Sequence, residues 1–274
     1  MGCTGSAEKD YTTMNLHIIK IGGNIIDNAP ALLAFTADLS GLKEPFILVH
    51  GGGKIATGIS RRLGIETRMA AGRRITDQDT LDVVVMVYAG LINKQIVAQL
   101  QSNGCNAIGL CGADAGIIRA NKRRHPEIDF GFVGDPVAVD AGRLQMFIQS
   151  GLTPVIAPVT HDSEGQLLNT NADTIASSVA IAMAQIYDVH LHYCFEKAGV
   201  MRDLESEDSL IPKITAHDYE ELRREGVIAD GMIPKLDNAF AAIRAGVKEV
   251  SILHARSLTS FISKNETAGT RIIA

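Results

Sequence analysis

The 274-residue chain has no tryptophan, four cysteines and eight prolines, and aromatic residues make up 5% of it. Cys3, Cys105, Cys111 and Cys194 form no CxxC pair and match no zinc-ligand spacing, which excludes a structural zinc and a disulfide framework. At 29.3 kDa a core forms without such staples, so reduced thiols and a cytoplasmic location are expected. No unbroken apolar run approaches the roughly 20 residues of a membrane helix, so no membrane association is expected. Positive charge is not in excess either: 26 Lys and Arg against 31 Asp and Glu leave a formal charge of −5. The basic clusters Arg61-Arg62, Arg73-Arg74 and Lys122-Arg123-Arg124 are short and scattered. They read as solvated faces, and no nucleic-acid partner is expected. His190 and His192 alternate in a strand-like run without a nearby third ligand, so no metal site is assigned. Met1–Ser6 fits a permissive myristoylation pattern, but no signal-peptide core follows, and residues 1–14 read as a mobile tail.

What is present is hydrophobic and ordered. Hydrophobic residues make up 46% of the chain, and from Leu16 onward short β-branched runs alternate with helical stretches. That alternation predicts an α/β layered sheet. Strands are expected at Leu16–Ile21, Phe46–Val49, Cys105–Leu110, Thr153–Ala157, Val189–Phe195 and Val250–Leu253. Helices are expected at Leu32–Leu39, from Lys54, at Asn171–Ile186, Asp218–Glu225 and Leu236–Ala245. Extended pieces near Thr67–Ala70 and Arg74–Ile75 read as a hairpin outside the sheet. Thr76-Asp77-Gln78-Asp79 caps a long helix reaching about Gln101. Its apolar residues cover more than one face, as in a central core helix or a subunit interface.

Three stretches carry chemistry. Lys20-Ile21-Gly22-Gly23-Asn24 closes the first strand and His50-Gly51-Gly52-Gly53 the second. Glycines at strand ends let backbone N–H groups approach an anion, and a following helix N-terminus adds favourable partial charge. Two such turns on neighbouring strands point to one paired site. No GxxxxGK[ST] loop exists. Gly51-x-Gly53-x-x-Ala56 matches a loose dinucleotide fingerprint, but basic Arg68–Thr76 stands where the ribose-binding acid belongs. Next, Asn169, Asn171 and Asp173 alternate at the mouth of a helix, more polar groups than one cap requires. Finally, Lys235 follows Pro234 in the first turn of a helix. There a cation opposes the helix dipole unless an anion lies nearby.

With these motifs in order, the sequence resembles the amino acid kinase superfamily and, within it, the acetylglutamate kinases of arginine biosynthesis. The resemblance runs from Leu16 to Ala274: KxGG, HGGG, Gly72-Arg73-Arg74-Ile75-Thr76, GQLxNxNAD, DGMIxK and Gly269–Ile272 as GTRI. It implies a three-layer αβα sandwich around a mainly parallel, about eight-stranded sheet. Residues 15–185 would form a lobe for the acylated amino acid and 186–274 a lobe for the nucleotide, on one continuous sheet. It implies ATP with Mg²⁺ carried on the phosphates, phosphoryl transfer to a side-chain carboxylate, and a likeness to homodimers. Lys20 and Lys235 would stabilise the transferring group and Asp173 would orient them. Gly52, Gly53, Arg74 and Asn169 would bind the acceptor, and Asn171 the acyl amide or the phosphates. Gly22, Gly23 and Asn24 would line the phosphates.

One departure stands out. Where relatives carry Ser/Thr-Asp-x-x-Gly, this chain reads Cys194-Phe195-Glu196-Lys197-Ala198-Gly199, making Glu196, Lys197 and Gly199 the corresponding nucleotide contacts. The acyl cap stays open between acetyl and a larger succinyl group, which needs room and a cation. Carbamate, aspartate, glutamate or uridylate kinase chemistry and a non-catalytic sensor are the alternatives.

Overall fold

The computed structural model describes residues 14–70, 72–203, 206–228, 232–264 and 268–273. The tail through residue 13, with Cys3, lies outside them, as does the Asp230-Gly231 half of the DGMIxK motif. Along the first third run β1 (Asn15–Ile21), α1 (Gly23–Ile26), α2 (Ala29–Ser40), β2 (Phe46–His50), α3 (Gly53–Arg62), β3 (Met69–Ala70) and β4 (Arg73–Arg74). A 25-residue helical stretch follows, in three parts: α4 (Gln78–Val85), a π-helical turn (Met86–Ile92) and α5 (Asn93–Ser102). The middle of the chain holds β5 (Ala107–Leu110), β6 (Ile118–Lys122), β7 (Val133–Val139), α6 (Ala141–Gln149), β8 (Thr153–Ile156), β9 (Val159–His161) and β10 (Leu167–Thr170). It closes with α7 (Ala172–Met183), β11 (Asp188–Phe195), β12 (Lys213–Ile214), α8 (Ala216–Arg224), α9 (Met232–Arg244), β13 (Glu249–His254), α10 (Leu258–Lys264) and β14 (Thr270–Ile272).

Eight strands form one sheet in the order β12-β14-β13-β11-β1-β2-β8-β5, parallel except where β14 meets β13. Both faces are covered, so the central strands are apolar throughout rather than alternating. In β1, Leu16 and Ile18 pack towards α6, α7, α8 and α9, while Ile19 and Ile21 pack towards α2, α4, α5 and α10. Period-two alternation then puts Lys20 on the α7 face and His17 on the α2 face. β1 pairs with β2 on one side and β11 on the other, which brings both glycine turns to the same sheet edge.

Four strands, β6, β7, β9 and β10, close into a small barrel that the sequence pattern does not reveal. Ile118–Lys122 reads IRANK and Val133–Val139 reads VGDPVAV, and such mixed pieces become strands only through distant partners. The hairpin outside the sheet is present as the antiparallel pair β3–β4. Helix α7 ends at Met183, three residues before the expected Ile186. By length and composition the 78–102 stretch is long and apolar enough to cross a membrane, a test that the core helix of a globular protein also passes. Its residues Val83, Val84, Val87, Ile92, Ile96 and Leu100 are buried in the core, while Met86 and Leu91 are exposed.

The histidine strand has a third member that the sequence reading missed. His17 of β1 stacks on His192, with ring centroids 5.2 Å apart, and lies 5.3 Å from the His190 ring. His17 Nδ1 is 2.9 Å from His192 Nε2, its Nε2 meets Glu44, and His192 Nδ1 is 2.7 Å from Ser251 Oγ. Among the described residues no group of three or more His, Cys, Asp or Glu is arranged to hold a metal ion.

Candidate active site

The first glycine turn ends β1: the Gly22 N–H donates to the Cys194 carbonyl at 3.2 Å, and α1 starts at Gly23. The second follows β2, where the Gly51 N–H donates to the Ile21 carbonyl at 3.3 Å and α3 starts at Gly53. Gly52 between them has φ +150°, and a Cβ there would sit 2.3 Å from Ile92 Cδ1. Only glycine combines that backbone with that approach. His50, fully buried, fixes the turn. Its Nδ1 bonds the Gly51 carbonyl at 2.8 Å, and its Nε2 lies 3.3 Å from the Asn93 amide, which also donates to the Val155 carbonyl. Burial pushes His50 down to about 4, so it stays neutral, donating through Nδ1 and accepting at Nε2. The π-helical turn supplies Tyr88 and Ile92 against Gly52, an irregularity of the kind often found at functional sites.

Asn171 caps α7 by accepting the Thr174 N–H at 3.1 Å, which puts Asp173 in the first turn. Asp173 is 9% exposed and sits between two ammonium groups. Lys20 Nζ is 2.7 Å from Oδ1, an ion pair out of hydrogen-bond alignment, and Lys235 Nζ donates to Oδ2 at 3.0 Å. Burial alone would raise this carboxyl. Lys20 and Lys235 overcome that and hold it at about 2. Lys20 comes from β1, Asp173 from α7 and Lys235 from α9, so the trio joins three elements distant in sequence.

Beside it lies a cavity of about 210 Å³, lined by Gly51–Gly53, Arg73, Arg74, Tyr88, Asn169 and Asn171 among others. All five residues expected to bind the acceptor therefore line one chamber. Arg74 is buried and held by the Gly53 carbonyl at 2.9 Å, Thr57 Oγ1 at 2.9 Å and Thr67 Oγ1 at 3.1 Å. Asn169 donates to Thr76 Oγ1 at 3.0 Å. The cavity lining includes no aspartate or glutamate. It adjoins a larger space of about 830 Å³ between α3 and the β3–β4 hairpin, sharing Gly53, Met69 and Arg74.

The remaining expected residues are placed differently. Lys54 Nζ meets Asn24 Oδ1 and lies 4.0 Å from Asp27. Asn24 and Glu196 both line a separate cavity of about 170 Å³ on the α2 side, with Phe35, His254 and Arg256. Lys197 is exposed on the turn after β11. At Gly199 a Cβ would come within 2.7 Å of Leu210 and Thr270, so close packing explains that glycine. Tyr88 and Arg73 line the same cavity without having been singled out as site residues from sequence. Tyr88 stood among the apolar positions of a long helix, and Arg73 looked like one more surface arginine.

Residues 15–254 match the model of the amino acid kinase family. The chain belongs to that family. It is 57% identical over 260 residues to the acetylglutamate kinase of Cytophaga hutchinsonii, covering 94% of this chain and 98% of that protein. It is 53% identical to the acetylglutamate kinase of Bacteroides thetaiotaomicron over 257 residues, covering 94% of this chain and 98% of that one. Among solved structures, the N-acetylglutamate synthase of Neisseria gonorrhoeae superposes with a TM-score of 0.82 at 21% identity, over 94% of this chain and 59% of that one. Carbamate kinase from Giardia lamblia gives 0.69 at 15%, over 95% and 98%. At those identities the likeness shows a shared fold.

Proposed function

We propose that this family member is an acetylglutamate kinase, moving the γ-phosphoryl group of ATP to the side-chain carboxylate of N-acetyl-L-glutamate. The observation that carries the reading is Asp173 holding Lys20 and Lys235 beside an acid-free, arginine-lined cavity walled by the second glycine turn. A carboxylate acceptor is already ionised near pH 7, so the reaction needs no general base. A side-chain carboxylate oxygen bonds to the γ-phosphorus while the bond from that phosphorus to the β,γ-bridging oxygen breaks. ADP leaves with the electron pair, and no proton moves. Catalysis reduces to alignment and neutralisation of charge on the equatorial oxygens. The two lysines, bridged by one carboxylate, supply positive charge there, and the Gly23 and Gly52 amides supply donors, while the Gly22 amide is engaged by the Cys194 carbonyl. Arg74 would grip the α-carboxylate of the acceptor and Asn169 its amide.

Mg²⁺ would be carried on the nucleotide phosphates and would help neutralise their charge. The 15–185 part would serve the acceptor and 186–274 the nucleotide, with Glu196, Lys197 and Gly199 on the turn bordering it. A homodimer is supported by Met86 and Leu91, which leave an apolar patch on the 78–102 stretch, and a cytoplasmic setting suits a small-molecule kinase. The deciding experiment traps the acyl phosphate with hydroxylamine in the presence of MgATP. Hydroxamate from N-acetyl-L-glutamate, lost in Lys20→Ala and Lys235→Ala, supports the reading. Product from carbamate, aspartate or free glutamate instead would replace it.

A further inference from the structure

The two neighbouring arginines of β4 are used very differently. Successive strand residues point to opposite sides. Arg74 turns towards α3, where Gly53 and Thr57 accept from it, with Thr67 before β3 as a third partner. Arg73 lines the same cavity, is half-buried, and its side chain makes no hydrogen bond or ion pair with any described residue. The carboxylates that reach it electrostatically are Asp135 and Asp173, and the nearby cation is Arg123. Both carboxylates are already engaged, Asp135 with Arg123 at 2.5 Å and Asp173 with the two lysines. Burial and the Arg123 charge push Arg73 below the usual arginine range, as expected for a guanidinium short of a counterion.

The acceptor cavity thus presents two guanidinium groups and no acidic residue. An N-acetylated glutamate brings one carboxylate to Arg74 and directs the other at the lysines. Arg73 then stays half-desolvated without a partner among the described residues, an arrangement that costs free energy. We propose that the preferred acceptor carries an acyl cap ending in its own carboxylate, bound by Arg73, with N-succinyl-L-glutamate as the simplest example. The proposal rests on the kinase reading and alters only the cap. Transfer to the side-chain carboxylate is unchanged, and the cap carboxylate is bound without reacting.

The test compares N-succinyl- with N-acetyl-L-glutamate in the full-length protein. Hydroxamate formation gives kcat and KM, and calorimetric titration of each acceptor without nucleotide gives affinity. The expected wild-type preference is about 10–100-fold in kcat/KM for the succinyl compound, the scale of one charge-assisted bidentate contact. Arg73→Leu should erase it through the succinyl KM with the acetyl KM unmoved. Arg73→Lys should keep part of it, and Arg61→Ala, in the adjoining cavity, all of it. A wild-type preference for the acetyl compound that Arg73→Leu leaves unchanged overturns the proposal. So does an equal fall in kcat on both acceptors, which would place Arg73 on the transferring phosphoryl group. If neither acceptor gives product, the kinase reading fails by itself, and the titrations still report whether Arg73 selects an anionic cap.

Discussion

Asp173 shows how one side chain can organise a charge problem. Lys20 and Lys235 approach it from different elements, and without the carboxylate two ammonium groups would face each other in a largely buried space. Asp173→Asn should therefore lower stability by about 3–5 kcal/mol, the usual result of removing one partner from a buried ionic cluster. Thermal denaturation reads that loss, and a melting temperature equal to wild type would contradict the pairing. Lys20→Ala and Lys235→Ala should each reduce kcat roughly 10²–10³-fold, the cost of losing one preorganised stabiliser of transition-state charge. Gly52→Ala combines a φ of +150° with a Cβ 2.3 Å from Ile92, so it should unfold earlier and bind acceptor more weakly. Adding Ile92→Val removes the methyl in the way and should recover part of the stability. No recovery would point to the backbone strain alone.

At the scale of elements, the histidine cluster on β1 and β11 is the feature most sensitive to solution conditions. His17, His190 and His192 are held below the ordinary histidine range chiefly by burial, His190 at about 4. Glu44 and Glu249 pull the other way for His17. Lys248 adds to the lowering at His190 and Arg271 at His192. Because the folded values are depressed, the unfolded chain binds protons more readily. Stability is complete above about pH 6.5 and falls as pH drops towards about 4. Denaturant titrations at several pH values check this. His190→Leu should flatten the dependence, since His190 Nε2 is buried without a hydrogen-bond partner and its loss breaks no bond.

The same elements mark what could be read from sequence. β1, β2, β11 and β13 were visible because strands covered on both faces leave long apolar runs. The glycine turns were visible because they follow those runs directly. The barrel strands were not, since IRANK and VGDPVAV owe their conformation to partners elsewhere in the chain. His17 lies 175 positions from His192, and no local spacing brings them together. Gly52, Gly53, Arg74, Asn169 and Asn171, which line one cavity, were legible as a set because their motifs are intact. Arg73 was hidden by its likeness to Arg61 and Arg62, and only the hairpin that turns it inward separates them.

Over the whole molecule, β1 is the shared spine. It pairs with β2 towards β8 and β5 and with β11 towards β13, β14 and β12, so neither half of the sheet has an independent edge at the middle. Calorimetry should accordingly show one cooperative unfolding transition, with van 't Hoff and calorimetric enthalpies in agreement. Two resolved transitions would mean that the halves come apart. If Met86 and Leu91 meet a second copy, the midpoint should also rise with protein concentration, as mass action requires.

The distance between the imidazole cluster and the phosphoryl site bears on how the rate depends on acidity. The cluster lies on the α2 face of the sheet, whereas Asp173 belongs to α7 on the opposite face and remains ionised down to about pH 2. The reacting carboxylate also stays largely ionised until pH falls towards its own value near 4.3. Between neutrality and pH 5 the chemical step therefore has little reason to slow. Whatever activity is lost there belongs to the scaffold, and it should return when a briefly acidified sample is neutralised, as a reversible loss of folded molecules would.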